Sequence, residues 1–366
     1  MASSPSFLAI QKEVNDKYGN VLRLATGKAE TRKLPTGVFN IDWCLRGGLP
    51  INRLTLVSGH KSSYKTTFTL KAIKSYQARC NFCFEMKEDC LCGGQISFGE
   101  EDDRETISNP LMVVYIDVEH ALDIKHVEHL GVSTGNLYIF DPPHGEAACE
   151  YAEKFAKVPE VGMIVVDSLA ALVPETELEK GYFDKGPQSL RARLISRMYR
   201  ALITHLSRDG YPPRIAVALN HLLPSRDGYG DILPGGETQK YLSSVVLKLW
   251  VTRKQYITIS KKGEEKLEDE GEKVIEQDAT KVRKQAVAFL VEHSKVSPDL
   301  MKGEFEIFLG EDDKIKFGDT DDFRSVYFRA LKAGILDGAK FTALKDIWQE
   351  DQGAYEKVKK TVIGLA

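Results

Sequence analysis

The sequence has no uninterrupted apolar stretch approaching 18 residues, which excludes a transmembrane helix. Its start, Met1–Ser6 followed by Phe7-Leu-Ala-Ile, lacks the basic region and long apolar core of a secretion signal. Neither sign of charge dominates. Lys and Arg number 50 against 53 Asp and Glu, a net charge of −3, so any polyanion must be bound by a local basic surface. Cysteine is scarce: of six, Cys80, Cys83, Cys90 and Cys92 crowd together while Cys44 and Cys149 stand alone. A secreted disulfide scaffold would spread its cysteines over a much shorter chain, so a cytoplasmic protein is expected. No internal repeat is evident. Hydrophobic residues at 42% and charged residues at 28% are ordinary for a folded chain and exclude a disordered or collagen-like one. At about 150 residues per domain, 366 residues suggest two to three domains.

What is present reads as an α/β chain. Residues 1–33 look like a small N-terminal element: Phe7 to Tyr18 carries apolar residues at helical spacing, and Gly19 sits where a helix would stop. A short apolar-leaning segment, 20–24, and a charged linker, 27–33, follow. The element has too little apolar surface to fold alone and is expected to pack on something else. From Leu34 onward, residues 53–58 read as a buried strand and 66–79 as a helix. Residues 111–117, 137–140, 162–167 and 214–220 read as four more strands, with helical text between most of them. Continuous apolar strands alternating with helices predict a mostly parallel sheet covered on both faces. Three of the strands end in Asp117, Asp167 and Asn220, and open parallel sheets bind ligands beyond that edge. Two segments interrupt the alternation. Residues 80–109 hold the cysteines and an acidic tail, and residues 260–284, dense in Lys and Glu, are expected as a solvated hairpin or loop. A last strand, 304–309, precedes a small α-rich C-terminal unit. The expected divisions are 1–33, 34–311 and 312–366.

Gly59-His-Lys61-Ser62-Ser63-Tyr64-Lys65-Thr66-Thr67 follows the first core strand and opens a helix. It fits Gly-x4-Gly-Lys-Ser/Thr at three of four fixed positions, with Tyr64 where the second Gly belongs. Backbone amides and a helix N-terminus would wrap phosphates, with Lys65 on the β and γ oxygens and the Thr66 hydroxyl on Mg²⁺. The plain alternative is a Ser-rich strand-to-helix turn. Asp167 is the expected partner for Mg²⁺. Glu119, just past Asp117, could orient and deprotonate an attacking water; otherwise it is a helix cap or a solvated carboxylate.

These residues resemble the RecA family of homologous recombinases, collinearly from about Gln11 to the C-terminus except mainly at 80–109. The strings are Thr36-Gly37 with Gly47-Gly-Leu-Pro50, Asp117-Val-Glu-His-Ala-Leu-Asp123, Ile164-Val-Val-Asp-Ser-Leu-Ala-Ala-Leu172, Gly235-Gly-Glu-Thr-Gln-Lys-Tyr241 and Gly303-Glu-Phe-Glu-Ile. Tyr64 and Asn220-His221 look more like the UvsX branch from tailed bacteriophages. The resemblance implies a RecA-like P-loop NTPase core with ATP and Mg²⁺, a helix-strand polymerisation element at 1–33, and a bacterial or phage-infected host cell. It implies Glu119 as general base, Asp123 as an adenine contact and His126 stacked on the base. His221 becomes a sensor of the γ-phosphate, although a lone His after a strand is more often a surface residue. His293 and Lys295 would reach a neighbouring subunit's ATP.

In this family two loops, here 175–187 and about 222–236, would line the filament axis. Arg193, Arg197 and Arg200 fall at helical spacing on one face, a row able to track phosphates without reading sequence. A solvated face is the plain alternative. The resemblance implies DNA contacts at Arg193, Ser196 and Arg200, and Gly235 and Gly236 would let amides approach a phosphate.

Cys80-x2-Cys83-x6-Cys90-x-Cys92 is compact enough for one tetrahedral four-thiolate site, a zinc-knuckle-like insertion. A redox pair, an iron–sulfur site or incidental cysteines are the alternatives. Together the expectation is a DNA-dependent ATPase that forms helical filaments on single-stranded DNA and pairs it with homologous duplex. Single-strand-binding and mediator proteins are further candidate partners, and no membrane is involved. A hexameric helicase of the same core fold and a non-catalytic mediator paralogue are the rivals.

Overall fold

The computed structural model describes residues 5–18, 22, 31–80, 82–92, 95–98, 105–108, 111–179, 189–207, 212–225, 230–259, 265–269, 280–310, 317–336 and 340–364. Helix α1 spans Pro5–Tyr18, and Gly19, the expected stop, lies outside the described residues. Of segment 20–24 only Leu22 is among the described residues. Next come α2 (Phe39–Cys44), β1 (Leu54–Gly59), α3 (Lys65–Gln77), β2 (Met112–Asp117), α4 (Ile124–His129), β3 (Leu137–Phe140), α5 (Gly145–Phe155) and β4 (Val161–Asp167). After these follow α6 (Ser189–Leu206), β5 (Ile215–His221), β6 (Val245–Ile259), β7 (Glu265–Asp269), β8 (Thr280–Ser294) and β9 (Met301–Phe308). Helices α7 (Phe323–Lys332), α8 (Phe341–Glu350) and α9 (Gln352–Gly364) complete the chain.

One nine-stranded sheet runs in the order β9-β8-β6-β1-β5-β4-β2-β3, with β7 paired to β6 off that path. From β6 to β3 every pairing is parallel, whereas β6, β8 and β9 pair antiparallel, so the sheet is mostly parallel. Every residue of β1 and β4 is buried, as strands covered on both faces require. On one face α3 lays Phe68, Leu70 and Ile73 over Val57, Val113, Val165, Val217 and Phe289. On the other, α5 and α6 bring Ala148, Ala152, Ile195, Met198 and Leu202 onto Leu54, Leu56, Val114 and Val166. Each buried Val, Leu, Ile, Phe or Met among them contributes roughly 1.5–3 kcal/mol, so the two apolar layers hold the strand ends at fixed positions.

Two expectations need correction. The 15-residue strands β6 and β8 were not expected, and residues 280–284 belong to β8 rather than to a solvated segment. Lys284 is buried there because Glu306 and Asp321, the latter at 2.9 Å, pair with its ammonium. The C-terminal helices form a small core of Val326, Ala330, Trp348, Tyr355 and Val362 that includes Phe39 of α2. The Arg329 guanidinium lies 3.5 Å from the Trp43 ring centroid across this contact. Among the described residues no helix is long and apolar enough to cross a membrane.

Candidate functional site

At the carboxyl edge of the sheet, β1 turns through Gly59–Tyr64 into α3. Gly59 is required by space: a Cβ there would fall 2.3 Å from Ser63 Oγ and 2.4 Å from the Leu249 carbonyl. Ser62 (φ 59°) and Tyr64 (φ 66°) both take left-handed backbone without being glycine. The loop closes around Lys65, whose Nζ donates to the carbonyls of Gly59 at 3.0 Å and His60 at 2.9 Å and to Ser63 Oγ at 3.4 Å. Burial holds the Lys65 pKa below its ordinary value, against the opposing pull of Asp167 and Glu119. A buried ammonium at a helix N-terminus, held among the described residues by loop oxygens and one imidazole, is suited to an anion. Lys61 and Ser62 form the exposed rim of the loop.

Thr66 Oγ1 donates to Asp167 Oδ2 at 2.9 Å, and the Tyr115 hydroxyl donates to the same oxygen at 2.5 Å. Burial raises the Asp167 pKa, and these two hydroxyl bonds oppose it. A hydroxyl and a carboxylate converging at the phosphate loop fit a hard divalent cation such as Mg²⁺. Asp117 accepts from the Ala121 and Leu122 amides at 2.9 and 2.8 Å, which fixes the turn that carries Glu119. Glu119 Oε1 lies 2.6 Å from His221 Nε2, and the Ser168 hydroxyl donates to it as well. His221 Nδ1 is 3.3 Å from Lys65 Nζ. An ammonium can only donate, so Nδ1 accepts and Nε2 carries the proton shared with Glu119. Lys65, His221 and Glu119 thus form one hydrogen-bonded chain.

The two nucleotide-side candidates, Asp123 and His126, lie on and beside α4. Asp123 is exposed and caps α4, accepting from the Lys125 amide at 2.9 Å. His126 Nε2 stands 3.3 Å from Thr67 Oγ1, and its ring meets Phe317 edge-on with centroids 5.4 Å apart. His293 and Lys295 lie at the opposite edge. Val245 of β6 is level with both Thr55 of β1 and Ser294 of β8, so the end of β8 is about 13 Å along the strands from Gly59. There His293 Nδ1 is 3.5 Å from Asp299, and Lys295 Nζ donates to the Tyr241 carbonyl at 2.8 Å.

Helix α6 buries Ile195, Met198, Tyr199, Leu202 and Leu206 and leaves Arg193, Arg197 and Arg200 exposed, with Ser196 half-buried. Beside it on α5, Glu150 and Glu153 pair with Lys154 at 2.6 Å and Lys157 at 2.8 Å, and Arg197 adds only a smaller pull on the two carboxylates. The Gly235–Gly236 turn (φ 90° and 85°) lies against this helix, where a Cβ on Gly235 would fall 2.3 Å from Ile195 Cδ1. Gln239 Nε2 holds the turn by its Pro234 and Gly236 carbonyls at 2.7 and 2.8 Å, while Gln239 Oε1 accepts from Asn220 Nδ2 at 2.7 Å. Asn220 adjoins His221, so Gln239 ties the nucleotide edge to this turn. Asp231 adds a second tie, pairing with His60 at 3.1 Å and Lys248 at 2.5 Å. Most of loop 175–187 and residues 226–229 lie outside the described residues.

The cysteine thiols converge. Cys80 and Cys92 are 3.4 Å apart, Cys83 and Cys90 3.6 Å, and Cys90 and Cys92 3.2 Å, with all four sulfurs within 4.8 Å of one another. Four thiolates on a zinc ion at about 2.3 Å stand about 3.7 Å apart, so the set fits. Burial pushes the Cys80 thiol up, but bonds from the Cys83 and Phe82 amides and from the Cys90 and Cys92 thiols outweigh it and hold the group at about 6. The turn is fused to the end of α3: Phe84 is buried edge-on to Tyr76, and the Lys87 amide donates to the Ala78 carbonyl at 3.0 Å.

Tyr115, Ser168 and Gln239 complete the site and were not singled out from the sequence. Gln239 lies within the Gly235–Tyr241 string, a signal that could have found it.

A family model described as the RecA N-terminal domain matches residues 105–312. The chain is 31% identical over 311 residues to a Protein RecA from Campylobacter lari, covering 83% of this chain and 74% of that protein. It is 31% identical over 288 residues to a Protein RecA from Aquifex pyrophilus, covering 78% and 68%. To a Protein RecA from Campylobacter jejuni subsp. doylei it is 32% identical over 299 residues, covering 80% and 71%.

Proposed function

The chain belongs to the RecA family of recombinases, and on that premise we propose that it is a DNA-dependent ATPase that assembles on single-stranded DNA and exchanges it with a homologous duplex. The observation that carries the reading is the convergence of Lys65, Thr66, Asp167, Glu119 and His221 within hydrogen-bond reach at one sheet edge. In this reading the loop Gly59–Thr67 cradles the phosphates of ATP, with Lys65 neutralising their charge. Thr66 and Asp167 hold Mg²⁺, which supplies further charge neutralisation when bound. Glu119 takes the proton of the attacking water, and His221 links Glu119 and Lys65 to the strand that leads to the Gly235–Gly236 turn. Asp123 and His126 serve the base.

Arg193, Ser196, Arg197, Arg200 and the Gly235–Gly236 turn are the DNA surface. His293 and Lys295, at the opposite edge, serve the nucleotide of the next copy in a helical filament. Exposed Phe7, Leu8 and Ile10 of α1 supply an apolar grip for that copy. We assign the 1–33 element to polymerisation, 34–311 to the ATPase core and 312–366 to a C-terminal domain. Cys80, Cys83, Cys90 and Cys92 hold structural zinc. Tyr64 and His221 support a position near the UvsX-like phage enzymes, working in the cytoplasm of the host cell with single-strand-binding and mediator proteins.

The test pairs DNA-stimulated ATPase with a joint-molecule assay. Lys65→Ala abolishes both. Lys295→Ala binds nucleotide but does not hydrolyse it on DNA. In an equal mixture of the two, random placement puts an intact loop against an intact opposite edge at about a quarter of joints, so about a quarter of the activity returns. No recovery in the mixture would refute the shared site. Unwinding without joint molecules would favour the helicase reading.

A further inference from the structure

A glutamine on the apolar face of a central sheet needs a partner, and Gln285 has one. On β8 the residues facing α3 are Gln285, Val287, Phe289 and Val291, and the last three lie in the core beneath that helix. Gln285 is itself only 3% exposed, and its register partner on β9 is the buried Ile307. Its side-chain oxygen accepts the hydrogen bond of the Tyr64 hydroxyl, and the Tyr64 ring packs against the same core. Tyr64 is the residue immediately before α3, at φ 66° and ψ 21°, where L-residues other than glycine are disfavoured. Lys284, pointing to the other face, is paired with Glu306 and Asp321, so β8 is anchored at this point.

We propose that Gln285 is a positioning residue for the phosphate loop: by holding the Tyr64 ring it keeps the loop in its anion-cradling shape before any nucleotide arrives. A glycine enters the left-handed region freely but also leaves it freely. A tyrosine tethered to β8 has its conformation chosen in advance, which lowers the ordering cost of binding. The inference rests on the nucleotide reading above and extends it to a residue on a different strand, about 220 positions away in sequence.

The test uses the full chain with a fluorescent ADP analogue, ATPase kinetics, and amide hydrogen exchange over 59–66 without nucleotide. Gln285→Leu keeps a similar volume on an apolar face and should fold. Losing one neutral hydrogen bond weakens affinity about fivefold in Gln285→Leu and in Tyr64→Phe, and the double variant is no weaker than either. In Gln285→Leu KM for ATP rises while kcat stays within about twofold. Exchange over 59–66 quickens in both single variants. In a Tyr64→Gly background Gln285→Leu changes nothing, an outcome that a merely structural role for Gln285 would not give. Wild-type affinity and exchange in Gln285→Leu, additive single effects, or an effect that survives in Tyr64→Gly would overturn the proposal. Failure of the unsubstituted protein to bind the analogue would overturn the nucleotide reading instead, and the exchange measurement would still decide whether Gln285 holds the loop.

Discussion

Glu119→Gln removes one charge and almost no volume. A carboxylate that takes a proton from the attacking water contributes roughly 10²–10⁴ in rate, or about 3–5 kcal/mol of barrier. The surrounding geometry should survive, because the amide oxygen still accepts from the Ser168 hydroxyl and from His221 Nε2. The electrostatic side effects oppose one another. Glu119 helps to raise the Asp167 pKa, so its loss favours an ionised Asp167 beside the metal position. Glu119 also supports the Lys65 ammonium, so its loss weakens that charge slightly. Neither effect reaches the backbone of the phosphate loop, and nucleotide affinity is expected within about threefold of wild type. Phosphate release at saturating ATP and DNA, measured with nucleotide affinity on the same protein, separates the two quantities. The expected result is a fall of roughly 10²–10⁴ in kcat with affinity kept and the DNA-bound state prolonged. A fall of less than about tenfold, or a parallel loss of affinity, would refute Glu119 as the base.

Three further outcomes are expected. Cys83→Ser takes zinc content from about one ion per chain to none and lowers thermal stability; unchanged metal content in the purified variant would end the zinc assignment. Arg193→Ala and Arg200→Ala each weaken binding to single-stranded oligonucleotides of any sequence and reduce the salt slope by about one. Unchanged slopes would return that row to a solvated face. Burial pushes the Asp42 carboxyl up to about 7, against the Thr36 amide and hydroxyl bonds at 2.7 and 2.8 Å. The native state then holds a proton that the unfolded chain has lost, so Asp42's contribution to stability falls as pH rises from about 4 to 7, by on the order of 4 kcal/mol. Asp42→Asn flattens that fall in urea unfolding, and parallel wild-type and variant curves across the window would refute it.

How much of this was legible in sequence depended on how each residue announces itself. Strands β1, β2, β4 and β5 were found to within about two residues, because burial on both faces leaves a continuous apolar run. Strands β6 and β8 were missed for the opposite reason. Their outer halves carry Arg253, Lys254, Lys281, Arg283 and Lys284, which break the run into what reads as solvated text. Only the pairing of Lys284 with Glu306 and Asp321, distant in sequence, lets a cation sit inside. Lys65, Thr66 and Asp167 were legible because their spacing is itself the chemistry, and Glu119 and His221 because of the resemblance. Tyr115 was not. It sits in an apolar strand, and only the register that sets it beside Val165 brings its hydroxyl to Asp167. Gln285 was hidden in the same way, by a contact made across the fold.

The sheet's change of direction carries the argument for assembly. Parallel strands deliver their loops to one edge, and there Lys65, Asp167, Glu119 and His221 meet. Strand β8, returning antiparallel from β6, delivers His293 and Lys295 to the other edge instead. A single copy therefore carries the two halves of the proposed site on opposite sides of one sheet, where they cannot close on each other. In the proposed assembly such surfaces meet head to tail, and a head-to-tail contact that does not close into a ring grows into a helix. The four-cysteine turn follows the end of α3 away from Lys65, and Arg32 Nη1 donates to its Phe82 carbonyl at 2.9 Å, beside the Lys33 that reaches the Val296 carbonyl at 3.4 Å. It therefore belongs with the Lys295 side of the molecule. Stripping the proposed zinc with a chelator should lower light scattering from the proposed filament before it lowers nucleotide affinity, because α3 stands between the turn and the phosphate loop; affinity falling first would refute this placement.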